Sequence, residues 1–114
     1  MKFALLLAVT LIALVSAVPA PDDPLEVYKQ QLVARVDKQE KLTEKDIKHF
    51  DTTKLKDSPQ QKELKNSMIE LEGFRPDIKK GASVEQLEPV ERNLGYLESW
   101  EPYYVEEMEK LLHQ

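Results

Sequence analysis

His49 and His113 are the two histidines of this 114-residue chain, and there is no cysteine. Neither histidine has a second histidine or a carboxylate at the spacing of a metal site, which needs several donors converging on one point. Without cysteine there is no thiolate nucleophile, and the three glycines form no phosphate-cradling loop. Carboxylates are plentiful, as in Glu106, Glu107 and Glu109, but a run of Glu on a water-facing helix is ordinarily a solvated surface. These residue types point to no catalytic centre, no metal and no cofactor, so the expected class is a non-enzymatic protein.

The residues that can recognise something are concentrated late in the chain. Residues 82–114 hold 2 basic and 8 acidic side chains, against 8 and 9 in residues 18–58 and 5 and 4 in residues 59–81. The same final segment carries Tyr96, Trp100, Tyr103 and Tyr104, with Tyr96, Trp100 and Tyr103 or Tyr104 falling on one side of a helix. Aromatic rings supply contact area and carboxylates steer encounter, a combination suited to an extracellular protein partner with a basic surface. The alternative is that the rings cover the core at a helix junction. Tyr103 and Tyr104, flanked by Glu101, Glu106 and Glu107, also fit the acidic setting of tyrosine sulfation.

Lysines 38, 41, 45 and 48 recur at helical spacing and suggest a polyanion or lipid face. However, Asp37 stands four before Lys41 and Glu44 four before Lys48, an order that favours intrahelical ion pairs. With 16 Lys plus Arg against 21 Asp plus Glu and a net charge of -5, nucleic acid is excluded as an expected partner. Amphipathic stripes carrying Met68 and Met108 leave a lipid or a small apolar ligand as an alternative. Lys79-Lys80 is the chain's dibasic pair, and cleavage after Lys80 would release an acidic peptide, a third reading.

The elements that position these residues follow from a processing signal and from helical periodicity. Lys2 precedes an apolar run from Phe3 to Val15, interrupted at Thr10, that closes on Ser16 and Ala17, the pattern of a signal peptide cleaved after Ala17. A span of the bilayer needs ~20 apolar residues, and Pro19, Pro21 and Pro24 stop this run from extending. The expected organisation is a signal peptide (1–17), a Pro-rich extension (18–23) and one secreted α-helical domain (24–114).

Within that domain, Asp23 and Pro24 open a helix whose stripe is Leu25, Tyr28, Leu32 and Val36. Thr43 and Asp46, with Leu42 stapled on Ile47, propose a second start. Ser58-Pro59-Gln60-Gln61 proposes a helix over 59–72, with Leu64, Met68 and Leu71 inward. Gly73 in the left-handed region, Phe74 packed back on Ile69, and Pro76 would end it. Residues 73–82 read as a connector, Ser83 and Gln86 as a further capping box, and Leu87, Val90, Leu94 and Leu97 as its stripe. Pro89 and Pro102 should kink or restart the helix, with Val105, Met108, Leu111 and Leu112 inward on the last piece. The expected fold class is therefore all-α, a small bundle or array of four to five short amphipathic helices.

Overall fold

A computed structural model describes residues 23–114 and shows three α-helices. They are α1 (Pro24–Phe50), α2 (Pro59–Lys80) and α3 (Val84–Leu112), with no strand among the described residues. The fold is all-α as expected, but the helices are fewer and longer. The segments 1–17 and 18–22, including the proposed cleavage at Ala17, lie outside the described residues.

The three helix starts are the ones that the capping residues specify. Asp23 accepts a hydrogen bond from the Leu25 amide at 3.0 Å, and Pro24 fills the first helical position. Ser58 Oγ accepts from the Gln61 amide at 3.1 Å, and Ser83 Oγ from the Gln86 amide at 3.2 Å. Gln61 does not return to complete its capping box. Its Nε2 donates instead to the Ile47 carbonyl at 2.8 Å and to Asp51 Oδ1 at 2.9 Å, tying the start of α2 to the end of α1.

The helix stops were misread, for one physical reason. Thr43 is fully buried in the middle of α1 and Leu42 is 45% exposed, so neither cap nor staple forms there. Gly73 lies inside α2, and no residue of any type has a positive φ among the described residues. Phe74 is buried in the core while Ile69 is 65% exposed, so Phe74 does not pack back on Ile69. Pro76, Pro89 and Pro102 all stand inside helices. Each of these prolines is exposed, as are Glu72 and Glu85, whose carbonyls lose a backbone donor to Pro76 and Pro89. Meanwhile Phe74 and Ile78 in α2, and Leu94, Leu97 and Met108 in α3, continue the buried stripe past these breakers. Burial of such a side chain contributes ~1.5–3 kcal/mol, enough for two or three of them to outweigh a proline's ~3 kcal/mol.

Contacts between the helices set their directions. Gln61 at the start of α2 reaches the end of α1, whereas Lys29 near the start of α1 donates to the Lys79 carbonyl at the end of α2. These two helices are antiparallel. Arg35 meets Glu91 and Glu98, Gln39 meets Glu101, and His49 meets Glu109, in ascending order along both helices. Helices α1 and α3 are therefore parallel, and the bundle runs up, down and up.

Buried positions recur at spacings of three and four along α3 (Leu87, Val90, Leu94, Leu97, Glu101) and along α1 (Leu32, Val36, Gln39, Thr43). That is the seam of a coiled-coil-like bundle. Its interior falls into two apolar clusters. The upper cluster, where α1 and α3 begin, contains Leu32, Val36, Leu71, Phe74, Ile78, Leu87, Val90, Leu94 and Leu97. The lower one contains Phe50, Leu55, Leu64 and Met108, and Trp100 packs against both. At the upper turn Gly81 has an ordinary φ of -56°, yet a Cβ there would lie 2.4 Å from Leu87 Cδ2. The glycine is required by close packing, not by backbone handedness.

Candidate functional site

Trp100 and Tyr104 stack with ring centroids 4.4 Å apart and an interplanar angle of 22°. Both are half-buried and pack against the core, whereas Tyr96 and Tyr103 are 66% and 64% exposed. The four aromatics thus divide into two core-covering rings and two outward ones. Burial and the charge of Glu63 push the Tyr104 phenol upward. Glu63 belongs to α2, so the second wall of this surface comes from outside the C-terminal segment.

Tyr96, Leu97 and Trp100 of α3 face Glu63, Asn66, Ser67 and Glu70 of α2 across a groove of about 170 Å³. Neither Glu63 nor Glu70 makes an ion pair among the described residues. The groove therefore combines aromatic surface with two carboxylates, the chemistry that receives a guanidinium or ammonium group. A volume of that order holds one side chain.

Much of the charge that marked the C-terminal segment is used inside the fold. Glu98 takes a two-pronged contact from Arg35, at 3.0 Å to Nε and 2.6 Å to Nη2, while Glu91 takes Arg35 Nη1 at 3.1 Å. Tyr28 donates to Glu91 at 2.5 Å, and that bond, with burial second, pushes its phenol up to about 12. The Glu98 contact likewise holds the Arg35 guanidinium above its ordinary value. Glu109 meets His49 at 2.6 Å and Glu107 meets Lys110 at 3.1 Å. Glu85, Glu88 and Glu106 alone of that segment's exposed carboxylates lack an ion pair among the described residues.

Glu101 is buried, with 3% of its surface exposed, between the two apolar clusters. Thr43 Oγ1 donates to its Oε1 at 2.5 Å and Gln39 Nε2 donates to the same oxygen at 3.1 Å. Desolvation, and then the nearby Asp46 carboxyl, push Glu101 up to about 7 against the effect of those two bonds. This polar layer was not singled out from the sequence. The signal was present, because extending the spacing of Leu87, Val90, Leu94 and Leu97 by four lands on Glu101, and extending Leu32 and Val36 lands on Gln39 and Thr43.

On the other side of the bundle, α1 and α2 border an open groove of about 540 Å³ whose apolar floor includes Val33, Ala34 and Ile78. Its rim carries Lys29, Lys79 and Arg75, and Arg75 is already engaged by Asp37 and Glu40. The expected Asp37–Lys41 pair is thus replaced by an interhelical one, while Lys48–Glu44 forms at 3.7 Å between exposed side chains. Lys79 and Lys80 are both exposed in the last turn of α2.

Among the described residues no group of three or more His, Cys, Asp or Glu is placed to hold a metal ion, and no helix is long and apolar enough to cross a membrane. Comparison of the chain with protein-family models, with curated proteins and with solved structures finds no match.

Proposed function

We propose that this protein is a secreted, non-enzymatic helical module that binds an extracellular protein partner through a cationic segment seated in the α2–α3 groove. The observation that carries this reading is the meeting of Tyr96 and Trp100 with the ion-pair-free Glu63 and Glu70. Aromatic rings and carboxylates around a slot for one side chain favour Arg or Lys as the anchor. Tyr103, exposed and one turn from Glu107, extends the surface and is the more accessible of the two sulfation candidates, since Tyr104 is stacked on Trp100.

Because Trp100 and Tyr104 support the core, the test uses Tyr96→Ala combined with Glu63→Gln, which leaves both clusters intact. Titration of the mature protein with an arginine-rich synthetic peptide should perturb Trp100 emission saturably. The double variant should bind about tenfold more weakly, a loss of ~1.4 kcal/mol. Unchanged affinity in a folded double variant would remove the reading.

A second reading, carriage of a small apolar anion, is favoured by the apolar floor and basic rim of the α1–α2 groove. A fluorescent fatty-acid analogue displaced on substitution of Val33 by Asp would support it. The peptide-precursor reading draws on the exposure of Lys79 and Lys80. It must answer the fact that α3 supplies Leu87, Leu94 and Leu97 to the upper cluster, which a released segment would expose. Intact mass of the secreted product decides between one chain and two.

A further inference from the structure

Glu101 is a buried carboxyl with no ion pair among the described residues. Thr43 and Gln39 both donate to Oε1, which favours the ionised form, but burial weighs more and favours the neutral one. The nearby Asp46 carboxyl disfavours a second negative charge beside it. The other polar and charged groups at this level are turned elsewhere. On α2, Ser67 donates to the Glu63 carbonyl, and Glu63 and Glu70 line the outer groove. On α3, Glu98 is bound by Arg35 of α1, whose Nη1 donates to Glu91.

We propose that Glu101 is a proton-operated latch, which when protonated joins α1 to α3 through a neutral layer with Thr43 and Gln39, and when ionised loosens the lower end of the bundle. Loss of the proton leaves an unpaired charge in the bundle interior, near the Asp46 carboxyl. The strain falls on the lower end because Arg35 with Glu91 and Glu98 clamps the upper one, just above the layer. Trp100, adjacent in sequence and packed against both clusters, registers the change. Burial and Asp46 push the Glu101 carboxyl up to about 7, which sets the switch near neutrality. Any effect on partner binding rests on the groove reading above. The latch itself does not, and it is tested without a partner.

The mature protein is titrated from about pH 5 to about pH 9 across the folded-state value of Glu101, following emission from Trp100, its one tryptophan. Segment-resolved amide exchange, corrected for its intrinsic pH dependence, is followed in parallel. The expected result is an emission transition near neutrality. Exchange around Phe50, Leu64 and Met108 should quicken about tenfold or more on the alkaline side, the effect of at least one unit of displaced ionisation, with little change around Leu32 and Val36. Glu101→Gln, which keeps the layer neutral at every pH, should abolish both changes. Asp46→Asn should move the transition to lower pH, and it serves as the deciding variant if the Gln protein does not fold. His49→Gln, which removes the lower histidine paired with Glu109, should leave the transition in place. A flat wild-type titration, a transition that persists in Glu101→Gln, an Asp46→Asn titration that does not move, or loss of the transition in His49→Gln would each overturn the latch.

Discussion

The upper end of the bundle draws nine buried apolar residues from all three helices, and Arg35 clamps its α1–α3 side to Glu91 and Glu98. The lower end has four such residues, one of them, Leu55, from the α1–α2 connection. It also buries Gln61, whose Oε1 has no partner among the described residues although its amide is well bonded. A buried acceptor left unpaired costs ~1–3 kcal/mol. The same three helices thus make a firm end and a soft end, and the polar layer of Gln39, Thr43 and Glu101 is the boundary between them. Stability in such a bundle is local, and the softer half is where opening begins.

The most severe way to break that contrast is to hollow out the firm end. Leu94→Ala removes a fully buried side chain from the upper cluster and should cost ~3–5 kcal/mol, read as a large drop in the urea midpoint. Leu64→Ala, also fully buried, sits where fewer apolar neighbours are lost and where the site can relax. It should cost nearer ~2–3 kcal/mol. Equal losses at the two sites would show that the ends are equivalent.

Next in size is Glu101→Gln. The folded value of about 7 stands above the ordinary 4.5, so the folded state holds a proton that the unfolded chain has released. The resulting stabilisation is complete below about pH 4.5, declines as pH rises through about 7, and is absent above it. Wild-type stability should therefore fall across that interval while the Gln variant stays flat. The variant should be the more stable above neutrality by up to ~3 kcal/mol, measured by denaturant unfolding at a series of pH values.

Gly81→Ala sharpens the comparison from the upper turn, because its Cβ would collide with Leu87. Overpacking of this kind costs ~1–3 kcal/mol, and exchange should accelerate first at the end of α2 and the start of α3. The smallest effect belongs to Arg35→Ala. Its side chain is 35% exposed, so the clamp should contribute only about 1 kcal/mol and lose part of that in salt. The telling result is selectivity, with the upper end losing protection and the contrast between the ends narrowing.

How much of this was legible in the sequence depended on the kind of signal. Helix starts at Asp23, Ser58 and Ser83 are local chemistry, one side-chain oxygen meeting one nearby amide, and they were read correctly. The helix end at Gly73 and the helix restarts at Pro89 and Pro102 do not occur, because a breaker's local cost is outweighed by the tertiary burial of Phe74, Ile78, Leu97 and Met108 beyond it. The aromatic cluster was found but not divided, since spacing alone does not reveal that Trp100 and Tyr104 cover the core while Tyr96 and Tyr103 face outward. The acidic residues beside it divide in a way that composition does not show. Composition counted Glu91, Glu98 and Glu109 as a field for a ligand, whereas Arg35 and His49 meet them across the α1–α3 seam. Glu63 and Glu70, from a nearly neutral segment, form the open acidic wall instead.

The off-centre placing of the polar layer also bears on which wrong assemblies are available to the chain. Leucine seams are forgiving, and a helix displaced by one heptad along its neighbour finds almost equivalent leucines to meet. If α3 slipped seven residues relative to α1, Glu101 would leave Thr43 and Gln39 and lie among residues such as Val36 or Phe50, with its hydrogen bonds unmade. The same mismatch would meet an α3 exchanged from another copy in any but the native alignment. One buried polar rung therefore acts as a ratchet tooth, admitting a single meshing of helices whose greasy edges would otherwise permit several.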